Sequence, residues 1–243
     1  MSSSRQKKIQ EHYDTIADVY DHHYDRRRGR CYYTHLSRNI LDVLPQNGKL
    51  LDIGCGTGLF VERYIDEGRC AVGLDISQKM IQRARSRCRE GDYAVGTGEK
   101  IPFNDNTFDA VSSLLVFSYV RDPEAMLNEA YRVLKPGGAI AICTLGKKLL
   151  TRGIPAIYHI SEKMNVQHVV MKNFGERYYN RKEMHQLFAQ AGFSDIQMKW
   201  CSFAHIDMLD PIFYLAQKIE PFVEQCVPQL AYNICVNGIK PRH

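Results

Sequence analysis

No C-x-x-C pair occurs in this 243-residue chain, and none of its eight cysteines (Cys31, Cys55, Cys70, Cys88, Cys143, Cys201, Cys226 and Cys235) stands at zinc spacing from a histidine. Linear spacing therefore predicts no structural metal. Several of these cysteines fall in apolar runs, where cysteine behaves as a small hydrophobe, so the expected compartment is reducing and intracellular. Long hydrophobic runs are missing too. The longest uncharged one, from Ala110 to Val120, is too short to cross a bilayer. The opening Met-Ser-Ser-Ser-Arg lacks the apolar segment of a signal peptide. Charge of one sign is not in large excess: the net charge is +5, and a dedicated nucleic-acid binder is usually more basic or carries an obvious basic stripe. There is no internal repeat and no low-complexity segment. These absences predict a soluble, cytoplasmic protein of a single domain over residues 1–243, not transmembrane, with peripheral membrane contact left open.

The informative stretch runs from Lys49 to Gly58, Lys-Leu-Leu-Asp-Ile-Gly-Cys-Gly-Thr-Gly. An apolar run enters a glycine-rich turn, as a buried parallel strand entering a cofactor loop would. Leu59, Phe60, Tyr64 and Ile65 then suit a short helix. Strand, glycine turn and helix together present backbone N–H groups to a nucleotide. The spacing is G-x-G-x-G and not the dinucleotide G-x-G-x-x-G, since Leu59 stands where the third glycine would be. A second apolar run, Cys70 to Leu74, ends at Asp75, about twenty residues on, where a carboxylate can accept both hydroxyls of a ribose.

Asp52-x-Gly54-x-Gly56-x-Gly58 followed by Gly-Leu-Asp75 resembles the class I S-adenosylmethionine (SAM)-dependent methyltransferases. Arg132-Val-Leu-Lys-Pro-Gly-Gly138 is similar to the segment before their fifth strand, and Tyr13 to Asp21 looks like the N-terminal helix that lies over the cofactor in the small-molecule branch. The ubiquinone/menaquinone-type enzymes are the best match. The resemblance implies an α/β fold: a Rossmann-like, doubly wound seven-stranded sheet whose last strand is antiparallel. It implies N-terminal lid helices over residues 5–44 and a helical substrate cap inserted at 146–179. The implied cofactor is SAM, with S-adenosylhomocysteine as product. The implied cofactor-binding residues are Tyr13, Tyr20, Asp52, Gly54, Gly56, Thr57, Gly58, Asp75, Ile76, Met80, Thr97, Gly98, Glu99 and Leu115. Ile76 would pack on the adenine. Thr97 would accept from its amine where relatives carry an acid or amide, and the Gly98 N–H would donate to the ring. Histidine, frequent in relatives near Ser118 or Tyr119, is missing there. Catalytic candidates are then Tyr20, Tyr119, Tyr158 and His159.

The remaining elements follow from periodicity and caps. A lid helix is expected over 5–24 and another from Cys31 to Leu44, with Arg26 to Arg30 as a charged loop between them. Ser77 and Asp122 read as N-caps, and Asn180 with Glu183 as a capping box. A strand is expected from Phe108 to Val120, a turn at Lys135 to Gly138 before a strand from Ala139 to Leu145, a strand from Phe193 to Phe203, a helix from Asp210, and a last strand from Tyr232 to Lys240. The function expected is methyl transfer from SAM to a small, partly apolar molecule such as a quinone, lipid or secondary metabolite. The alternatives are an RNA or protein methyltransferase, hinted at by the arginine runs, and a non-catalytic SAM-binding protein.

Overall fold

The computed structural model describes residues 4–66, 68–147, 174–206 and 208–242. Its centre is one seven-stranded sheet: β1 (Lys49–Ile53), β2 (Cys70–Asp75), β3 (Asp92–Val95), β4 (Phe108–Leu114), β5 (Leu134–Leu145), β6 (Ser194–Cys201) and β7 (Asn233–Ile239), in the order β3-β2-β1-β4-β5-β7-β6. β1 to β5 are parallel, and β7 runs antiparallel to both of its neighbours. The order reverses between β1 and β4, the switch point where ligands bind in open α/β sheets.

Helices cover both faces. α3 (Arg27–Leu41), α4 (Leu59–Ile65), α5 (Gln78–Arg87) and α8 (Asp210–Cys226) pack on one side, with Leu36, Ile40, Phe60, Tyr64, Ala84 and Phe213 buried. α6 (Pro123–Val133) and α7 (Arg181–Gln190) pack on the other through Met126, Leu127, Ala130, Met184 and Phe188. Burying each of the larger side chains contributes about 1.5–3 kcal/mol. Caps fall where the sequence places them. Ser77 Oγ accepts from Met80 N, and Asp122 accepts from Ala125 N with Pro123 at the first position. Asn180 and Glu183 form a complete capping box.

The boundaries differ in four places. The N-terminal helix splits into α1 (Ser4–Ile16) and α2 (His22–Asp25). α3 begins at Arg27, so most of the Arg26–Arg30 run lies in its first turn. This start is possible because Gly29 packs against the backbone of His23 and Tyr24, where a Cβ would clash. β4 stops at Leu114 because Leu115 takes a left-handed φ of 63°, after which Phe117–Tyr119 forms a short 3₁₀ turn. β5 begins at Leu134, so Lys135 to Gly138 belongs to the strand; Lys135 bonds Asp109 at 2.8 Å and Gly137 N donates to Lys240 O.

Three cysteines distant in sequence meet under α3. Cys143, Cys201 and Cys235 come from β5, β6 and β7, with Sγ···Sγ separations of 3.9 and 3.2 Å. Spacing along the chain could not show this grouping. Of the cap region 146–179, residues 148–173 lie outside the described residues, and with them Tyr158 and His159. Among the described residues no helix is long and apolar enough to cross a membrane.

Candidate functional site

The carboxyl ends of β1, β2 and β4 open into two adjoining clefts of about 500 and 740 Å³ that share Ile9, Gly54, Ile76, Val116 and Tyr119. One is lined by Asp75, Ile76, Thr97, Gly98, Glu99 and Tyr119. The other is lined by Tyr13, Tyr20, Asp52, Gly56, Thr57, Met80 and Leu115, among others. Thirteen of the fourteen cofactor residues expected from the sequence are thus brought to one place. Gly58 lies behind it: it precedes α4 with φ 81° and packs on Ala84 and the Tyr93 hydroxyl. Of the catalytic candidates, Tyr20 and Tyr119 face the clefts.

The glycine loop is shaped for close approach. Gly54 has φ 76°, and a Cβ there would strike Val116 at 2.4 Å. Gly56 has φ 53°, and a Cβ there would find open space with only Tyr20 Cε1 at 3.9 Å. Gly54 therefore satisfies packing, whereas Gly56 leaves room on the cleft side.

Asp75 makes backbone contacts that spacing did not reveal. Its Oδ2 accepts from Gly56 N at 2.9 Å and its Oδ1 from Ser77 N at 2.8 Å. The carboxylate thereby ties the glycine loop to the start of α5 and still has lone pairs to offer into the cleft. Burial pushes its pKa up to about 6, against the lowering effect of those N–H donors. Asp52 is 2% exposed and accepts from Ser112 Oγ at 2.7 Å. Burial pushes its pKa up to about 7, since the Ser112 bond only partly compensates and Asp75 adds like charge. Two carboxyls with raised pKa values thus stand in adjoining clefts, where perturbed titratable groups are candidates for ligand contact.

The N-terminal helices are fastened by polar contacts between residues far apart in sequence. Ser77 Oγ donates to Asp14 Oδ1 at 2.6 Å, and Thr57 Oγ1 to Asp21 Oδ1 at 2.6 Å. Arg87 reaches Asp21 at 2.5 Å and Glu62 at 3.2 Å. Gln6 Nε2 donates to Glu99 Oε1 at 3.1 Å, and the same oxygen receives Arg121 N. Ile9, Tyr24, Tyr33 and Val116 also line the clefts, and sequence reasoning missed them. The aromatic spacing of 13, 20, 24 and 33 was the only signal for the tyrosines. The arginines read as an outer face or a loop are engaged: Arg28 with Asp210 at 2.8 Å, Arg83 with Asp18, and Arg85 with the Tyr93 carbonyl.

Residues 51–142 match the methyltransferase domain family. Over 198 residues the chain is 28% identical to demethylmenaquinone methyltransferase of Renibacterium salmoninarum, covering 77% of this chain and 81% of that protein. It is 39% identical over 97 residues to malonyl-[acyl-carrier protein] O-methyltransferase of Serratia marcescens, covering 40% of this chain and 38% of the relative, so that match concerns the shared domain only. A SAM-dependent methyltransferase of Thermotoga maritima, described as a possible histamine N-methyltransferase, superposes with a TM-score of 0.71 at 24% identity over 96% of this chain and 99% of that one, a likeness of fold. Residues 51–142 thus carry a methyltransferase domain, and the fold is that of SAM-dependent methyltransferases. The chain's cofactor is SAM, and its sheet is the seven-stranded one expected, with β7 reversed.

Proposed function

We propose that this enzyme methylates a small, neutral acceptor with an apolar body, of the quinone, lipid or secondary-metabolite kind. The observation that carries this reading is the wall of the larger cleft. Tyr13, Tyr20, Tyr24, Tyr33, Leu59 and Leu115 line it, and among the described residues no lysine, arginine or histidine does. An acceptor carrying phosphate or carboxylate at the reacting end would find no counter-charge there. The kinship with a demethylmenaquinone methyltransferase points the same way.

In this reading Asp75 holds the ribose hydroxyls, Ile76 packs on the adenine, and Thr97, Gly98 and Glu99 read its edge. Gly54, Gly56 and Thr57 border the amino-acid end, with Asp52 facing the α-ammonium. When bound, SAM supplies a methyl group already activated by its sulfonium. The residues of the chain supply alignment and exclude water, and alignment alone can contribute about 7–11 kcal/mol. Burial pushes the hydroxyls of Tyr13, Tyr20 and Tyr33 well above their ordinary pKa. They therefore stay protonated and serve as donors and packing surfaces, not as general bases. The segment 146–179 is proposed, on its apolar sequence, as the substrate cap.

Three tests follow from the chemistry. Methyl-labelled SAM incubated with the enzyme and cell extract should place its label in the solvent-extractable small-molecule fraction; label in acid-precipitated protein or RNA would contradict the reading. Thr97→Asp should tighten SAM binding, because a carboxylate is a stronger acceptor for the adenine amine than a hydroxyl. Calorimetry showing unchanged or weaker binding would mean that Thr97 does not face the amine. The third test concerns pH. Asp52 and Asp75 take up protons near 7 and 6 in the free protein, and the ligand must displace them. SAM affinity should fall roughly tenfold or more between pH 7.5 and 5.5, with proton release detectable by titration in two buffers. Because the folded pKa of Asp52 lies above its unfolded value near 3.9, its contribution to the stability of the free protein falls as pH rises through 7. Asp52→Asn should therefore raise the melting temperature of the free protein at pH 8 while weakening SAM binding.

A further inference from the structure

α8 carries an apolar face that nothing among the described residues covers. Ile212, Leu215, Ile219 and Phe222 are 53, 64, 44 and 63% exposed, and Leu209, just before the helix, is 69% exposed. Their spacing of three, four and three residues aligns them on one side, while Phe213, Ala216, Glu220 and Val223 face the core. A row of large apolar side chains in water is unusual on a globular surface and marks an interaction site.

The rim of this face is basic. Arg27 lies over the Tyr214 ring at 5.2 Å, Arg28 holds both the Met208 carbonyl and Asp210, and Arg26, Arg30 and Lys218 are exposed. The acids beside these residues are Asp210, held by Arg28, Asp25, whose carbonyl accepts from Arg30, and Glu220 and Glu224, which share a groove with Arg30 and are paired with His35. The net positive charge of this rim separates two occupants. Two copies meeting through α8 would bring like charges together. An anionic lipid surface complements both parts: acyl chains for the apolar row and headgroups for the arginines.

We propose that α8, with the first turn of α3, is a docking surface for an anionic bilayer, with α8 lying in the interfacial plane. The placement has a consequence for the reaction. The α2–α3 segment that presents Arg26 to Arg30 also supplies Tyr24 and Tyr33 to the larger cleft. Docking would bring the cleft mouth to the lipid surface, where an apolar acceptor concentrates. The surface itself stands on α8 and the arginines, whatever the acceptor is.

The test uses the full chain and vesicles of phosphatidylcholine and phosphatidylglycerol at about 3:1. Wild-type protein should co-sediment with them. It should bind several-fold less to pure phosphatidylcholine and roughly tenfold less when salt shortens the Debye length from about 10 to 3 Å. Leu215→Ser with Phe222→Ser should lose at least about tenfold in partitioning while keeping its melting temperature and SAM affinity. If that pair does not fold, Ile212→Ser with Ile219→Ser serves instead. Absence of wild-type binding, or undiminished binding by a folded variant, overturns the proposal. So does a wild-type dimer, seen by sedimentation velocity, that the serine variant dissolves. SAM binding is read separately, so failure of the docking surface is distinguishable from failure of the catalytic reading.

Discussion

Replacing Gly56 with valine is expected to abolish SAM binding. The residue sits at φ 53°, a region that a β-branched side chain avoids, and its missing Cβ leaves open space on the cleft side. The backbone strain amounts to about 1–3 kcal/mol, which a domain of this size survives. The branched side chain would stand where the ligand backbone must approach. Gly56→Ala should give a smaller loss, because one methyl group has room against Tyr20 Cε1 at 3.9 Å. Calorimetry with SAM and a melting curve separate the two effects. A valine variant that folds and binds normally would refute the placement of the loop.

The second large effect is that of Asp75→Ala, which should weaken SAM and S-adenosylhomocysteine by about 1.5–3 kcal/mol, since a charged acceptor is taken from two hydroxyls. The structure adds a further consequence. Gly56 N and Ser77 N both lose their acceptor, so the glycine loop should loosen before any ligand arrives. Asp75→Asn distinguishes the contributions: its amide oxygen can still accept one of the two N–H groups, but its NH₂ cannot accept the other. Hydrogen exchange at Gly56 and Ser77 should rise in the alanine variant. Unchanged affinity would remove Asp75 from the site.

What was legible in the sequence was local. The strand, glycine turn and second-strand acid lie within twenty-odd residues, and each has a conformational reason for its residue type, so Asp52, Gly56 and Asp75 could be placed before any coordinates. The N-caps at Ser77, Asp122 and Asn180 were legible for the same reason. Contacts that depend on the packed chain were not. Asp14 meets Ser77 across 63 residues and Arg87 meets Asp21 across 66, and no spacing rule connects them. The end of β4 was misplaced because Leu115 adopts a left-handed conformation that its residue type disfavours; its N–H is held by the Cys143 carbonyl at 2.8 Å on the neighbouring strand. The start of β5 was misplaced because Pro136 and Gly137 look like a turn, whereas pairing of Gly137 with Lys240 draws them into the strand. The exposure of α8 was hidden because an apolar row reads the same whether it faces a core or a membrane.

The most direct test of the account is a calorimetric titration of the wild-type chain with SAM at pH 7.5 and again at pH 5.5. The account predicts a single site at the higher pH, weakened roughly tenfold or more at the lower, with protons released on binding as Asp52 and Asp75 ionise. No binding at pH 7.5, or an affinity and proton balance that do not change with pH, would contradict it.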